Sequence, residues 1–457
     1  MGTNRAMVRK CNSLAGEIGD SLILGPNRIS RHRFVKIREW DIMKHPRRTT
    51  VVGWSALGAG KLLVALLVGS CLDSAVTHAA DEAMTIAKQG NFYIGGKYVE
   101  SNGDTPMVGQ VFVEYQIPQR QTHPYPIVMV HGGGQTGSGW ISTPDGREGW
   151  AIYFLRRGYA VYVVDQVARG RSAYIVDVYG RSRTQTREYV MQRFSTSERY
   201  NLWPQAKLHT QWPGNAQPSD PVFDNYFASN VPSMDNREIQ SKMNVDALAA
   251  LLDRIGPSIV LVHSQSGQYG WPLAQARPAL VKAIVAAEPS GPPVHDLVVP
   301  GAARFGMDFA SAAAVAGTEI FRDDPRLKRY GLADNPMIYA PTVTPESPLA
   351  FVQQEKADAP DLVKCWRQKE PARKLVAVGD RPILYLAAEA SFYAPYNHCT
   401  VGYLKQAGVD VSYVKLADIG LRGNGHMMMM EKNSDAIAQV IIEWLDKNIP
   451  ARATTPR

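Results

Sequence analysis

Two serines stand between a short apolar run and a helix-forming segment, where a serine hydroxyl can serve as a nucleophile. Residues 259–262 predict a buried strand, and the sequence His-Ser-Gln-Ser-Gly follows at 263–267. A strand, a tight turn that carries a serine and a helix form a nucleophile elbow, in which the strained turn exposes the hydroxyl. We expect Ser264 to be the nucleophile, because the alternative, Ser266, would place the large Gln268 in the tight turn. The competing interpretation is a serine that only caps the helix.

A glycine-rich loop offers the second part of an acyl-transfer site. The sequence His-Gly-Gly-Gly at 131–134 follows a predicted buried strand, a pattern typical of oxyanion loops. Acyl transfer places negative charge on the carbonyl oxygen in the transition state, so backbone N–H donors must be ready for it. Glycine lets the backbone approach that oxygen closely. We expect the N–H groups of Gly133 and Gln265 to be the donors.

A histidine and a carboxylate must activate the serine, because its hydroxyl is a poor nucleophile at neutral pH. Of the ten histidines, His426 lies between the last predicted strand and the last predicted helix, where a loop can reach the elbow. The carboxylate that orients the imidazole has two candidates. Glu288 follows the strand after the elbow, and Glu389 follows the predicted strand at 382–387. The residues themselves do not choose between these two acids.

Short apolar strands alternate with helical segments along the chain after residue 81. The predicted strands are 92–99, 111–115, 125–130, 159–164, 259–262, 281–287, 382–387 and 409–416. The predicted helices are 149–157, 243–254, 271–280, 396–407 and 435–448. This alternation predicts an α/β fold with a mostly parallel central sheet and helices on both faces.

The charge of the chain is concentrated at its beginning. The whole sequence carries a formal net charge of +8, but residues 1–80 hold 12 Lys and Arg against 5 Asp and Glu. The rest holds 38 against 37 and is nearly neutral. Nothing in this distribution argues for a nucleic-acid partner.

The first 80 residues have the features of an export leader. Residues 1–42 are too long and too polar for the start of a signal peptide, and they predict a disordered or wrongly included extension. Residues 43–80 predict the signal peptide, with basic residues before an apolar run at 62–68 and small residues before Ala80. The sequence Val-Gly-Ser-Cys that ends at Cys71 is also compatible with a lipid anchor at that cysteine. Export to the periplasm or the medium is expected, and no stable membrane span, because Lys61 interrupts the apolar run.

Residues 81–457 are expected to form one domain with two insertions. The first, at about 180–235, is rich in Trp, Tyr, Pro and Asn and predicts a lid beside the site. The second covers about 291–375. Two cysteines fall in this domain, Cys365 and Cys399, and an exported protein could join them in a disulfide. Two buried free thiols would fit the sequence equally well.

Several stretches of the sequence resemble those of a known group, the bacterial secreted α/β-hydrolase esterases. The matching stretches are His131-Gly132, residues 143–147, Gly149-Trp150, residues 153–156, Gly158-Tyr159, residues 164–166, residues 170–173, residues 263–267, Val285, Glu288-Pro289 and residues 425–429. They cover roughly residues 125–290 and the last forty or so. The resemblance implies an α/β-hydrolase fold, a nucleophile at Ser264, an acid at Glu288 and a base at His426. It also implies oxyanion donors at Gly133 and Gln265.

The chain departs from that group at three places. The relatives carry two cysteines where Gly133 and Gly134 stand. Val262 replaces a smaller residue before the elbow, and the segment 291–375 is longer than theirs. Substrate preference therefore need not carry over, and Glu389 remains the alternative acid.

These observations predict a serine hydrolase that cleaves a small-molecule carboxylic ester through an acyl-enzyme. No cofactor or metal is expected, and the sequence says nothing about the oligomeric state. The same triad serves amide and C–C bond hydrolysis, so these chemistries remain alternatives. A binding protein without catalytic activity on the same fold is a further alternative, because a fold alone proves no activity.

Overall fold

The computed structural model describes residues 83–217, 219–298 and 322–449 of the 457-residue chain. The predicted extension at 1–42, the signal peptide at 43–80 and the lipid-anchor candidate Cys71 lie outside these ranges. Within them, no helix combines the length and the apolar character needed to cross a bilayer.

In the described ranges, eight strands form the central sheet. They are β1 (Ile86–Ile94), β2 (Val111–Pro118), β3 (Ile127–Val130), β4 (Val161–Asp165), β5 (Ser258–Ser264), β6 (Val281–Pro289), β7 (Ile383–Ala387) and β8 (Ser412–Lys415). Their order across the sheet is β1-β2-β4-β3-β5-β6-β7-β8. β2 runs antiparallel to both neighbours, and every pair from β4 to β8 is parallel. The carboxyl ends of the parallel strands therefore meet at one edge, where ligands bind in such sheets.

Helices cover both faces of this sheet. They are α1 (Trp150–Arg156), α2 (Arg237–Ile255), α3 (Gly267–Ala276), α4 (Asn397–Gln406) and α5 (Ser434–Asn448). Successive residues of β5 point to opposite faces, so Leu261 packs in the core that holds α1 and α5, and Val260 in the core that holds α2 and α3. Burial on both faces explains why the central strands are continuous apolar runs. The predicted α/β-hydrolase fold is confirmed.

Two predicted elements are displaced. The first strand was expected at 92–99, but β1 begins at Ile86 and ends before the turn at Gly95. Its polar first half is largely exposed at the sheet edge, so no apolar pattern marks it. The helix after the elbow was expected at 271–280, but α3 covers Gly267–Ala276. The sequence did not predict the beginning of this helix because its first residues include glycines, and glycine is a poor helix former.

The first insertion packs against the face that holds α1 and α5. It contains short helices and turns at Val176–Tyr179, Arg187–Val190, Met191–Ser195, Ser197–Tyr200, Ala206–Leu208 and Pro221–Ala228, with paired strands at Ser182–Arg183 and Ser233–Met234. Its large side chains, among them Trp203 and Tyr226, are buried in the same core as α1. The predicted lid aromatics thus serve as core, and whether the segment also opens and closes stays a prediction.

The described part of the second insertion contains three small two-stranded pairs. They join His295–Val298 with Arg322–Leu327, Tyr339–Ala340 with Lys374–Leu375, and Phe351–Gln353 with Trp366–Gln368. A disulfide links Cys365 of this insertion to Cys399 of α4. The disulfide form, one of two alternatives left open by the sequence, is the one in the structure.

Candidate active site

Ser264 occupies a strained turn at the carboxyl end of β5. Its φ of 53° lies in the left-handed region, which is uncommon for residues other than glycine. Ser264 is partly exposed, whereas Ser266 is fully buried. The Ser266 hydroxyl donates to the carbonyl of Val130 at 2.8 Å and accepts from the N–H of His263 at 2.9 Å. Ser266 therefore braces the turn, and Ser264 presents the open hydroxyl.

Glycines let the neighbouring segments approach this turn. A Cβ on Gly132 would lie 2.9 Å from the Cβ of Ser264, so the oxyanion loop can pass the serine only with glycine there. A Cβ on Gly267 would collide with Pro289 of β6. The unusual Val262 is accommodated because it faces Gly270 of α3, where even a Cβ would stand 3.6 Å from the valine.

The backbone at Gly133, which carries the first expected donor, lies close to the side chain of Gln265, which carries the second. A Cβ built on Gly133 would stand 3.6 Å from Oε1 of Gln265. In the described part of the chain, neither the N–H of Gly133 nor that of Gln265 donates a hydrogen bond. Both donors are therefore free to receive a negatively charged oxygen near Ser264.

His426 lies in the loop between β8 and α5 and is 1% exposed. Its Nδ1 is 3.2 Å from Oε2 of Glu288, so Nδ1 carries the proton and donates a hydrogen bond to the carboxylate. Burial lowers the pKa of His426, and the charge of Arg193 lowers it further. The ring is therefore neutral, and its Nε2 offers a free electron pair.

Glu288 is fully buried at the end of β6, with a left-handed φ of 47°. Oε1 accepts hydrogen bonds from the N–H of Ala388 at 2.8 Å and from Nδ2 of Asn397 at 2.9 Å. Oε2 accepts one from the hydroxyl of Ser391. Burial raises the pKa of Glu288, and these three donors oppose the rise because they stabilise the charged form.

Glu389, the alternative acid, points to different partners. One of its oxygens lies 3.0 Å from the guanidinium of Arg422, and the other accepts the N–H of Gly423 at 2.8 Å. It therefore fixes the start of the loop that carries His426. The structure brings Glu288, and not Glu389, to the imidazole.

The hydrogen bond from Ser264 to the imidazole is not formed in this structure. Oγ of Ser264 lies 3.5 Å from the phenol oxygen of Tyr393, and Nε2 of His426 has no hydrogen-bond partner among the described residues. The Tyr393 and His426 rings are close, with centroids 4.5 Å apart. The proton can pass to Nε2 only when the serine hydroxyl comes within hydrogen-bond distance of it.

The histidine loop is held by two further contacts. Nε2 of His263, the residue before the serine, donates to the backbone carbonyl of His426 at 3.0 Å. The N–H of Gly425 donates to Glu431 at 2.9 Å, and Glu431 also accepts from Nε2 of His209 at 2.9 Å. His209 belongs to the first insertion, so this insertion helps to position the loop.

Sequence reasoning missed several of these supporting residues. Ser391, Asn397, Tyr393 and Glu431 lie in segments without a recognisable motif, and no pattern in the sequence marks them. Their roles follow only from the folding of β7, α4 and the histidine loop onto one edge of the sheet.

An apolar cavity lies below the oxyanion loop, lined by Gly132, His263, Trp140 and three methionines between 427 and 430. A second cavity, lined by Ser142, Tyr226 and others, adjoins it across Gly139 and Met430. Both contact loops around the site, and the first, with a volume of about 10 Å³, has room for only a water-sized group.

One group of side chains in the described ranges has the spacing of metal ligands: Cys365, His398 and Cys399. The two sulfurs are bonded to each other, and Nε2 of His398 lies 3.1 Å from the sulfur of Cys365. A disulfide sulfur is not a thiolate, so in this form only the imidazole could act as a strong ligand.

The chain is similar to known proteins in sequence and in structure. The model of the alpha/beta hydrolase family matches residues 127–440. A protein named "Probable secreted lipase phiG", from Fungal sp. (strain ATCC 74256), is 42% identical over 356 residues, which are 78% of this chain and 89% of the relative. A structure titled "The Atomic Resolution Structure of a Novel Bacterial Esterase" aligns with a TM-score of 0.53 at 22% identity, covering 80% of this chain and 98% of that one. The chain belongs to the alpha/beta hydrolase family.

Proposed function

We propose that this protein is a serine hydrolase that cleaves a carboxylic ester through an acyl-enzyme. Ser264 is the nucleophile, His426 the base and Glu288 the acid. The observation that carries the proposal is the 3.2 Å contact between His426 and the buried Glu288, beside a serine held at a positive φ. The relative named as a secreted lipase supports ester hydrolysis as the reaction type.

The reaction would proceed in two halves. Oγ of Ser264 attacks the ester carbonyl carbon while its proton passes to Nε2 of His426. The carbonyl oxygen becomes negative and accepts hydrogen bonds from the N–H groups of Gly133 and Gln265. When the C–O bond to the alcohol breaks, His426 returns the proton to the leaving oxygen. Water then repeats the sequence on the acyl-enzyme, which releases the acid and restores the serine.

The electrostatics of the site suit these steps. A neutral imidazole with Nδ1–H directed at a carboxylate can accept a proton at Nε2. The imidazolium that results is stabilised by Glu288 in a dry environment, where charge–charge interactions are strong. The raised pKa of Glu288 in the resting site falls when the positive imidazolium forms next to it.

The substrate is proposed to be a small-molecule ester. No cofactor takes part in the steps above, since backbone donors and the triad supply each role.

We also propose that the protein is exported. The relative carries "secreted" in its name, and the Cys365–Cys399 disulfide fits an oxidising compartment. Whether the mature protein is attached through a lipid at Cys71 can be read from the mass of its N-terminal peptide, and cell fractionation distinguishes the periplasm from the medium. A diacylated cysteine would give the lipoprotein, and an N-terminus near Ala80 the soluble form.

Replacement of Ser264 tests the function. Wild-type protein should hydrolyse p-nitrophenyl acetate and should be labelled at Ser264 by a fluorophosphonate. Ser264→Ala should lose both properties while its melting temperature stays near the wild-type value. Ser266→Ala is the matched control, and it should keep labelling although loss of two hydrogen bonds lowers its stability.

Three results would contradict the proposal. Activity that survives Ser264→Ala but disappears in a folded Ser266→Ala would transfer the nucleophile to Ser266. Turnover of amides or of C–C substrates in preference to esters would change the reaction. A wild-type protein that neither turns over nor reacts with the fluorophosphonate would be a binding protein.

A further inference from the structure

A buried arginine bridges the two segments that carry the expected oxyanion donors. Arg169, in the loop after β4, is 2% exposed. Its Nη1 donates to the carbonyl of Gly132 at 2.8 Å, and its Nη2 donates to Oε1 of Gln265 at 2.7 Å. The two terminal nitrogens of one guanidinium thus bind both segments of the candidate oxyanion site.

The contact with Gly132 fixes the direction of the Gly133 donor. The carbonyl of Gly132 and the N–H of Gly133 belong to one planar trans peptide and point to opposite sides of it. When Arg169 holds the carbonyl, the N–H is directed away from the arginine. A charged donor on the carbonyl also polarises the peptide, which makes its N–H a stronger hydrogen-bond donor.

The contact with Gln265 fixes the second donor. The side chain of Gln265 accepts from Arg169 through Oε1 and donates through Nε2 to Oε1 of Gln240 in α2 at 2.8 Å. With both ends of the amide held, the residue has one orientation relative to the elbow. Its backbone N–H is therefore fixed beside Ser264 before a substrate arrives.

The charge of Arg169 has no carboxylate partner among the described residues. Its hydrogen bonds go to a carbonyl and an amide oxygen, and its Nε has no partner there. Burial lowers the pKa of Arg169 to about 10, so the group remains protonated at neutral pH. A buried cation without a counter-charge is unfavourable unless an anion forms nearby.

We propose that Arg169 is a positioning residue of the oxyanion site, one that orients the Gly133 and Gln265 donors and supplies positive charge behind them. This inference rests on the proposed function. In the ester, the carbonyl oxygen is neutral and gains little from Arg169. In the tetrahedral intermediate, the oxygen is negative and gains both the polarised donors and the field of the guanidinium.

The experiment compares Arg169→Met and Arg169→Lys with Arg381→Met in the full-length protein. Arg381 is a matched control because it is 7% exposed and donates to backbone carbonyls, including that of Ala274 at 3.1 Å, away from the site. Steady-state kinetics use p-nitrophenyl acetate. A trifluoromethyl ketone, which adds the serine to give a tetrahedral oxyanion, measures affinity for that state.

Arg169→Met should lower kcat about 100-fold, the order found when one oxyanion donor is lost, while KM changes less than threefold. Its affinity for the trifluoromethyl ketone should fall by a similar factor. Arg169→Lys keeps the charge but cannot donate to both acceptors from two separate nitrogens. Its kcat should therefore lie between those of Arg169→Met and the wild type. Arg381→Met should lose stability while its kcat stays within about twofold of the wild type.

A folded Arg169→Met with wild-type kcat, or with unchanged affinity for the ketone, would overturn the inference. If that variant does not fold, Arg169→Lys decides: a wild-type kcat and ketone affinity in a folded protein would equally refute it. An inactive wild type that is not labelled by the fluorophosphonate would refute the proposed function instead, so the two failures can be told apart.

Discussion

The proposal that Glu288 is the carboxylate of the triad gives a prediction with a clear quantitative outcome. Glu288→Gln keeps the size of the side chain but removes its charge from the imidazole. The N···O distance is 3.2 Å. At an effective dielectric constant of about 20, two unit charges at this separation attract by roughly 5 kcal/mol. Each 1.36 kcal/mol is a factor of ten in rate, so loss of this stabilisation in the imidazolium state predicts a fall in kcat of about 10³ to 10⁴-fold.

The assay is the kcat for p-nitrophenyl acetate near neutral pH, with the melting temperature and near-UV circular dichroism as tests of folding. Glu389→Gln is the matched control. Its carboxylate contacts Arg422 and the N–H of Gly423, so we expect only a severalfold loss from a loosened loop. A folded Glu288→Gln that keeps more than a tenth of the wild-type kcat would refute the reasoning. So would a larger loss in Glu389→Gln than in Glu288→Gln.

Two further predictions concern stability. Burial alone would lower the pKa of His209, but the carboxylates of Glu198 and Glu431, 3.4 and 2.9 Å from its ring nitrogens, raise it to about 9. Because the folded pKa lies above the unfolded value of 6.5, this stabilisation is complete below pH 6.5 and is lost as the pH rises through 9. His209→Gln should therefore lower the melting temperature at pH 6 more than at pH 9.5, and an equal loss at both values would contradict the assignment. Replacing Cys365 and Cys399 by serine should lower the free energy of unfolding by about 4 kcal/mol, since the bridge spans 34 residues. An unchanged denaturation midpoint under oxidising conditions would show that the bridge does not form.

The parts of the molecule that sequence reasoning predicted are those with strong local signals. The strand and turn around Ser264 carry a short apolar run followed by a motif, and glycines mark the loop at 131–134. His426 could be singled out because its loop falls between two recognisable elements. For the acid, the residues left two candidates, and the resemblance favoured Glu288.

The parts that could not be predicted depend on contacts between distant segments. No local sequence pattern predicts that Ser391 and Asn397 contact Glu288, because these contacts form only after β7 and α4 have packed beside β6. The sequence places Arg169 in the loop after β4, but its role could not be predicted. Its partners are neutral, so no pattern of opposite charges marks them. Tyr393 likewise reaches Ser264 only through the course of the chain between β7 and α4.

The covalent bridge between Cys365 and Cys399 has a consequence for how this enzyme family could diversify. Cys399 comes two residues after Asn397, whose amide holds the carboxylate of Glu288. The second insertion, residues 291–375, is thereby fastened to α4, the helix that also holds the carboxylate of Glu288. Exchanging that segment between homologues should thus alter turnover as well as substrate choice, and grafts that lack the matching cysteine should be the poorer catalysts.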